Sequence, residues 1–176
     1  MPEIKITPLI WWPSTRAALI EMLIETVAHG GSVGFMHPLA PEQADAFWKD
    51  SLAAADRGER IVLGAFDANH LVGTVTLLLA LPPNQPHRAE IAKMMTRISH
   101  RRQVARALMR TAESIAIARG RTLLVLDTAV ENGAAGLYER LGFKLAGTIP
   151  DYALKPHGGL TGTMIYSKRI GETALA

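Results

Sequence analysis

With 176 residues, 48% hydrophobic and 20% charged side chains and a formal net charge of +3, the chain has the composition of one globular domain spanning residues 1–176. The absence of cysteine excludes disulfides, a thiolate metal site and a covalent thiol intermediate, and the modest charge does not by itself indicate a nucleic-acid partner. The N-terminus shows no basic region followed by an apolar one, and the longest uncharged apolar run, residues 71–83, is too short for a membrane-spanning helix. We therefore expect a cytoplasmic protein with neither nucleic acid nor a membrane as its partner.

The first half of the chain predicts three strands and two helices. Ile4 and Ile6 alternate with Lys5 in the first strand, and apolar residues recur at helical spacing after Pro13 and after Pro41. Between the helices, residues 29–34 contain three glycines, which predicts either a flexible connection or a backbone that approaches a ligand closely. The predicted elements are a strand at residues 3–9, helices at 17–27 and 41–57, and strands at 60–66 and 71–81.

The second half predicts a strand that leads through a cationic turn into the longest helix. The strand covers residues 87–96, the turn residues 99–103, and the helix ends near residue 119. The next strand, residues 122–128, is apolar enough that we expect it to be buried on both faces. A short helix at residues 132–141 and strands at 143–146 and 162–168 complete the chain. This order predicts an α+β, or mixed α/β, fold around one sheet.

The cationic turn is a predicted anion site. The first N–H groups of a helix have no partners within the helix, and the helix dipole adds partial positive charge there. Arg101, Arg102 and Arg106 reinforce that sign. A phosphorylated cofactor that lies between strand ends is the simplest ligand for this arrangement.

The chain resembles the GNAT acetyltransferases, the superfamily of N-acetyltransferases that depend on acetyl-coenzyme A. The order of elements agrees over nearly the whole chain, and residues 90–109 are similar to the superfamily's strand, turn and helix. Residues 132–143, NGAAGLYERLGF, are the more specific match. Further segments are similar to the tabtoxin-resistance acetyltransferases within the superfamily, namely residues 25–27, 29–36, 88–90, 126–128 and 150–152.

The resemblance implies a GNAT-type central mixed sheet, mostly antiparallel, with a splayed fourth strand and helices on both faces. It implies acetyl-coenzyme A as cosubstrate and direct transfer, through a tetrahedral intermediate, to an amino group of a small molecule. A toxin, an antibiotic or an amino-acid-like compound would fit, and toxin resistance is the associated role. Because members of the superfamily often dimerise, a homodimer is also open.

The resemblance also implies a set of cofactor-binding residues. These are Met94, Met95, Thr96, Arg101, Arg102, Gln103, Val104, Ala105, Arg106, Asn132, Ala135 and Tyr138. The chain departs from the family at Gln103, where glycine is usual, and at His100, where arginine or glutamine is usual. If the backbone at Gln103 is helical, the departure acts mainly by crowding the phosphates. The alternative to an enzyme is therefore a non-catalytic acyl-coenzyme A binder or sensor with a degenerate loop.

Some of these residues have simpler interpretations. Met94 and Met95 also suit the core or the lining of a pocket, and Asn132 also suits a helix N-cap. Tyr152 is expected to line the acceptor pocket. We expect no metal site, because none of the six histidines forms an i, i+4 pair on a predicted helix.

Three residues are candidates for proton transfer. Tyr138 lies where the family often has a tyrosine near the coenzyme A sulfur, and a phenol is a competent proton donor to a thiolate. The alternative is a packed tyrosine with its hydroxyl in water. Glu90 and Asp127 are acidic residues in otherwise apolar strands, where an unpaired carboxylate is costly, and they would attract a cationic amine and relay its proton through water. Alternatively, Glu90 pairs with a cation on its own strand, and Asp127 caps the loop at residues 129–132.

Overall fold

The computed structural model describes residues 4–171, with the side chains of Arg101, Arg102 and Asn132 outside that description. The predicted roles of those three side chains, and of Glu3 in the first strand, therefore lie outside the described residues. The strands are β1 (Ile4–Pro8), β2 (Arg60–Asp67), β3 (His70–Leu78), β4 (Arg88–Thr96), β5 (Leu123–Ala129), β6 (Lys144–Leu154) and β7 (Leu160–Arg169). The helices are α1 (Pro13–Ala28), α2 (Pro41–Asp56), α3 (Arg101–Ala118) and α4 (Ala135–Arg140), with short 3-10 turns at Ile98–His100 and Val130–Asn132.

The seven strands form one sheet in the order β1-β2-β3-β4-β5-β7-β6. Every neighbouring pair is antiparallel except β4 and β5, which are parallel. Since α3 is the crossover between these two parallel strands, its first turn lies at the end of β4. The predicted mixed α+β fold is confirmed.

The parallel pair is short, and it opens towards α3. Pairing runs from Arg88 with Leu123 to Ile91 with Leu126, and beyond that point the two strands part. On its other edge β4 is bulged, because Thr74 pairs with Met95 whereas Thr76 pairs with Ala92. This splayed fourth strand leaves a gap in the middle of the sheet.

Helices cover both faces of the sheet, and each face buries a core of its own. On one face, α3 packs Val104, Leu108 and Ala112 against the strands, and all three are fully buried. On the other face, α1 and α2 meet at the fully buried Trp48, whose indole N–H donates a 3.0 Å hydrogen bond to the carbonyl of Leu19. Because the polar atom of the indole is satisfied, Trp48 buries its large apolar surface without a desolvation penalty.

The prediction that residues 122–128 are buried on both faces is wrong for one face. In β5, Leu124 and Leu126 are buried in the core beneath α3, whereas Val125 is half-buried and Asp127 is exposed. The reason is the position of α1 and α2, which pack mainly on β2, β3 and β4. The corresponding face of β5 therefore borders solvent, which the apolar composition of the strand does not reveal.

Two elements near the C-terminus differ in extent from the prediction. The helix predicted at residues 132–141 is reduced to α4, which a left-handed Gly133 (φ 65°) separates from the preceding 3-10 turn. The strand predicted at residues 143–146 continues as β6 to Leu154, because it pairs with β7 through two register irregularities. Pro150 lies in the second irregularity, and because proline is unusual inside a strand, the sequence pattern does not indicate that the strand continues. Among the described residues, no helix is both long and apolar enough to cross a membrane.

Candidate active site

A cleft of about 1750 Å³ opens at the gap between β4 and β5. Its walls come from the end of β4, the first turns of α3, the start of α4 and the last turn of α1. Four elements that are distant in sequence therefore meet here only in the folded chain. The lining includes Met94, Met95, Thr96, Gln103, Ala105, Arg106, Arg110, Gly136 and Tyr138.

The inner wall of the cleft is a strand edge without a partner strand. Beyond Ile91, the part of the chain that the structure describes offers β4 no pairing on its β5 side. Backbone N–H and C=O groups at such an edge require hydrogen-bond partners. An extended arm that carries amide groups, such as pantetheine, would supply these partners. The splayed strand therefore fits the carrier arm of acetyl-coenzyme A.

The outer end of the cleft is the start of α3. The turn before it is held in place by His100, whose Nε2 lies 3.1 Å from Asp67 Oδ2 and whose Nδ1 lies 2.7 Å from Ser99 Oγ. Arg106 and Arg110 lie one turn apart on α3, and both line the cleft. Free N–H groups at the start of a helix together with these two cations suit a pyrophosphate.

Gln103 lies inside α3, and its side chain is exposed at the cleft. The backbone there is helical, so no left-handed conformation is required that glycine would favour. A residue other than glycine could cost strain in a left-handed backbone or crowd the phosphates with its side chain, and at Gln103 only the crowding applies. The replacement of the family's glycine by Gln103 therefore reduces the space available to phosphates and does not alter the backbone conformation.

Of the other predicted cofactor residues, some line the cleft and others pack in the core. Ala105 and Arg106 line the cleft, as do Met94, Met95 and Thr96. Val104 lies on the inner face of α3 and is fully buried, so only its backbone could contact a cofactor. Ala135 packs on the main core, and its neighbours Ala134 and Gly136 are the residues that line the cleft.

Tyr138 brings a phenol into the cleft from α4. Its ring is only 6% exposed and packs at 6.2 Å from the ring of Phe143 and at 5.9 Å from that of Tyr166. Burial, and secondly the negative charge of Asp127, raise the pKa of Tyr138 to about 12. The phenol therefore keeps its proton at neutral pH, which a proton donor must do.

The two acidic candidates lie in different surroundings. The Glu90 carboxylate forms a salt bridge of 3.2 Å with Arg88 on the same strand, which matches the simpler interpretation of this residue. Asp127 is exposed, so the argument that its carboxylate is costly in an apolar strand does not hold. It accepts a 3.2 Å hydrogen bond from the hydroxyl of Thr163, and this partner lies on β7 and not in the loop at residues 129–132.

Several residues at the cleft had no role in the prediction. Arg110 could have been found, because it follows Arg106 by one helical turn. Glu25 in α1 lines the far end of the cleft and forms a salt bridge with Arg97, which Glu21 also contacts at 3.1 Å. Sequence distance hides this contact, since α1 and β4 meet only in the folded protein. Tyr152, expected in the acceptor pocket, is 57% exposed on β6.

The histidines do not form a metal site in the described part of the chain. No group of three potential ligands among His, Asp and Glu comes together there. The rings of His37 and His157 are in contact at a tilt of 42°, with their centroids 4.4 Å apart. Since His157 also contacts the carbonyl of Ala28 at 2.9 Å, the pair joins the loop after α1 to the turn between β6 and β7.

A strand that splays beside a helix N-terminus, with a buried phenol at the cleft between them, fits a protein that binds a phosphorylated acyl carrier. The sequence model of the Acetyltransferase (GNAT) family matches residues 19–143, and the chain belongs to this family. The predictions of an acetyltransferase and of acetyl-coenzyme A as acetyl donor are thereby confirmed. The match extends to the family and not to the tabtoxin-resistance group.

Solved structures show the same fold. An N-acetyltransferase from Staphylococcus aureus Mu50 superimposes with a TM-score of 0.80 at 17% identity, covering 96% of this chain and 99% of that one. The yncA protein of Salmonella typhimurium, solved with its cofactor acetyl-CoA, gives 0.78 at 17% identity over 97% and 96% of the two chains. Aminoglycoside 6'-acetyltransferase type Ii gives 0.72 at 20% identity over 96% and 98%.

Proposed function

We propose that the chain acetylates an amino group of a small molecule, with Tyr138 as the proton donor to the departing thiolate. The observation that carries the proposal is the position of the Tyr138 phenol, which lines the cleft together with the splayed end of β4 and the first turns of α3. When bound, acetyl-coenzyme A supplies the thioester and a pyrophosphate that anchors it. The residues of this chain hold the pyrophosphate at α3, align the carrier arm along β4 and protonate the thiolate.

Asp127 is the residue that we propose attracts the acceptor. Its exposed carboxylate lies where β4 and β5 part, and its charge acts on Tyr138. An ammonium group must lose a proton before it can attack a thioester, and a carboxylate beside it can pass that proton to water. Glu90 is less suited to this role, because Arg88 occupies its carboxylate.

The acceptor class is a toxin, an antibiotic or an amino-acid-like compound. The similarity of several segments to the tabtoxin-resistance proteins supports these acceptor classes, and the aminoglycoside acetyltransferase among the structural neighbours supports an antibiotic in particular.

A homodimer is supported by the sheet edge at β6, where Leu145, Ile149 and Leu154 expose large apolar side chains. Apolar groups on an unpaired edge strand favour association.

The proposed role of Asp127 is tested by Asp127→Asn, which keeps the shape of the side chain and removes its charge. We expect kcat/KM for amine acceptors to fall by about 10- to 100-fold, measured by thiol release on a panel of small amines. Glu90→Gln serves as the comparison, since its carboxylate is already paired. An equal or larger loss in Glu90→Gln would contradict the choice of Asp127, and no thiol release by the wild type with any amine would contradict the proposed function.

The second candidate function is a non-catalytic acyl-coenzyme A binder, which the exposed Gln103 at the phosphate end of the cleft favours. Isothermal titration with acetyl-coenzyme A, followed by the thiol-release assay, separates the two functions. Binding without turnover on every amine would favour the binder.

Gln103→Gly is expected to tighten acetyl-coenzyme A binding about threefold to tenfold, because it removes the side chain that crowds the phosphates. Glycine in a helix costs about 1 kcal/mol of folding stability, so the variant also needs a check that it remains folded. Gln103→Ala is the matched control, since it removes most of the side chain and keeps the helix propensity. Weaker binding in both variants, measured by calorimetry, would show that Gln103 contacts the phosphates favourably.

A further inference from the structure

Lys93 has an unusual place in the fold that the proposed function does not explain. It lies in the bulge of β4 with a left-handed backbone (φ 52°), which residues with a Cβ rarely adopt. The bulge follows Ile91, the last residue of β4 that pairs with β5. An outlier of this kind next to an active-site gap suggests that the side chain has a function there.

The Lys93 ammonium lies over two aromatic rings that pack edge-to-face on each other, with their centroids 5.2 Å apart. Its Nζ lies 6.0 Å from the ring centroid of Phe35 and 5.7 Å from that of Phe47. The side chain is partly buried, and Gly34 lies against it, since a Cβ at Gly34 would come within 3.2 Å of Nζ. These contacts fix the position of the ammonium but supply no anion.

The charges around Lys93 favour the binding of an anion. Among the described side chains, no carboxylate is within salt-bridge distance of Nζ, and Glu90 on the same strand is engaged by Arg88. Burial lowers the pKa of Lys93, the negative charge of Asp127 raises it, and the positive charge of Arg60 lowers it. A partly buried cation without a close partner is stabilised when an anion binds beside it.

Lys93 and Asp127 flank the gap from its two sides. Leu126 on β5 is paired with Ile91, so Asp127 is the first residue of β5 beyond the pairing, and Lys93 lies two residues beyond it on β4. Two opposite charges thus lie on β4 and β5 at the point where these strands part, next to the cleft-lining residues Met94 and Thr128. Because Asp127 would repel a dianion, a monovalent carboxylate suits Lys93 better than a phosphate does.

We propose that Lys93 binds the carboxylate of the acceptor, so that the acceptor is an amino carboxylate whose ammonium group lies at Asp127. This inference rests on the proposed function and narrows it to zwitterionic amines. Lys93 is then the residue that separates amino acids from simple amines. Phe35 and Phe47 fix the position of its ammonium.

The test compares amino acids with their carboxamides, which carry the same amine without the carboxylate. With the wild type, we expect kcat/KM for the acids to exceed that for the carboxamides by about 10- to 100-fold, as a charge-assisted hydrogen bond provides. Lys93→Met should reduce this ratio to about 1, mainly through KM for the acids, and Lys93→Arg should restore much of it. Lys49→Met, at an exposed position on α2, is the control and should keep the wild-type ratio.

A second variant controls for the possibility that Lys93→Met does not fold. Lys93→Gly also removes the ammonium, and glycine accepts the left-handed backbone without strain, so this variant should fold and likewise lose the preference for acids. Equal use of acids and carboxamides by the wild type, or an unchanged ratio in Lys93→Met and Lys93→Gly, would overturn the inference alone. Absence of turnover with every amine would overturn the proposed function and the inference with it.

Discussion

Tyr138→Phe should lower kcat by about 100-fold or more while the Kd for acetyl-coenzyme A changes by less than about twofold. The substitution removes one hydroxyl and keeps the ring that packs on Phe143 and Tyr166. The thiolate then leaves without a proton donor, whereas the cofactor keeps its contacts at α3 and β4. Single-turnover thiol release and isothermal titration measure the two quantities separately.

The pH dependence of the wild type gives an independent check on Tyr138. Because burial raises the pKa of Tyr138 from its ordinary 10.0 to about 12, the phenol stays protonated well above neutral pH. Turnover should therefore rise as the acceptor amine loses its proton and should show no falling limb below about pH 11. A falling limb centred near pH 10 would show that the proton donor has an ordinary pKa, and unaltered turnover in Tyr138→Phe would remove Tyr138 as the acid.

Gly73→Val should destabilise the fold and weaken cofactor binding together. A Cβ at Gly73 would lie 2.6 Å from Val104 Cγ1, 3.1 Å from Leu108 Cδ1 and 3.2 Å from the carbonyl oxygen of Met95. Relief of these contacts requires α3 to move away from β3, and the first turn of α3 is where we propose that the phosphates bind. We expect the free energy of unfolding to fall by about 1–3 kcal/mol. The Kd for acetyl-coenzyme A should rise by about tenfold or more, because the N–H groups of α3 are displaced.

Chemical denaturation and calorimetric titration measure both effects of Gly73→Val. Gly147→Val is the matched control, since no atom lies within 4 Å of a Cβ at that position and its backbone is not left-handed. A stable Gly73→Val protein that binds acetyl-coenzyme A like the wild type would contradict the close packing of α3 on β3.

Much of the secondary structure was predictable because local patterns dominate it. The spacing of apolar residues marks α1, α2 and α3, and turn residues mark the hairpin between β2 and β3. The continuation of β6 beyond residue 146 was not predicted because Pro150 interrupts its pattern, and pairing with β7 keeps the backbone extended nevertheless. Its extent depends on a partner strand and not on its own residues.

The candidate site was predictable only where it is built from one continuous segment. The start of α3 and the position of Tyr138 follow from residues that are adjacent in sequence, and the structure places both at the cleft. Glu25 and Lys93 acquire their surroundings from elements far away along the chain, namely β4 for the first and Phe35 and Phe47 for the second. Nothing near either residue in sequence indicates those neighbours.

The sequence by itself determined the class of fold and the cationic start of α3, because periodicity and contiguous motifs encode them, and the family resemblance indicated Tyr138. Only the tertiary structure decided that Asp127 is exposed, that Glu90 is paired, and that no carboxylate among the described side chains pairs with the ammonium of Lys93. Burial and ion pairing depend on which elements pack over a residue. That packing is set by the whole chain, so a strand's own composition does not reveal it.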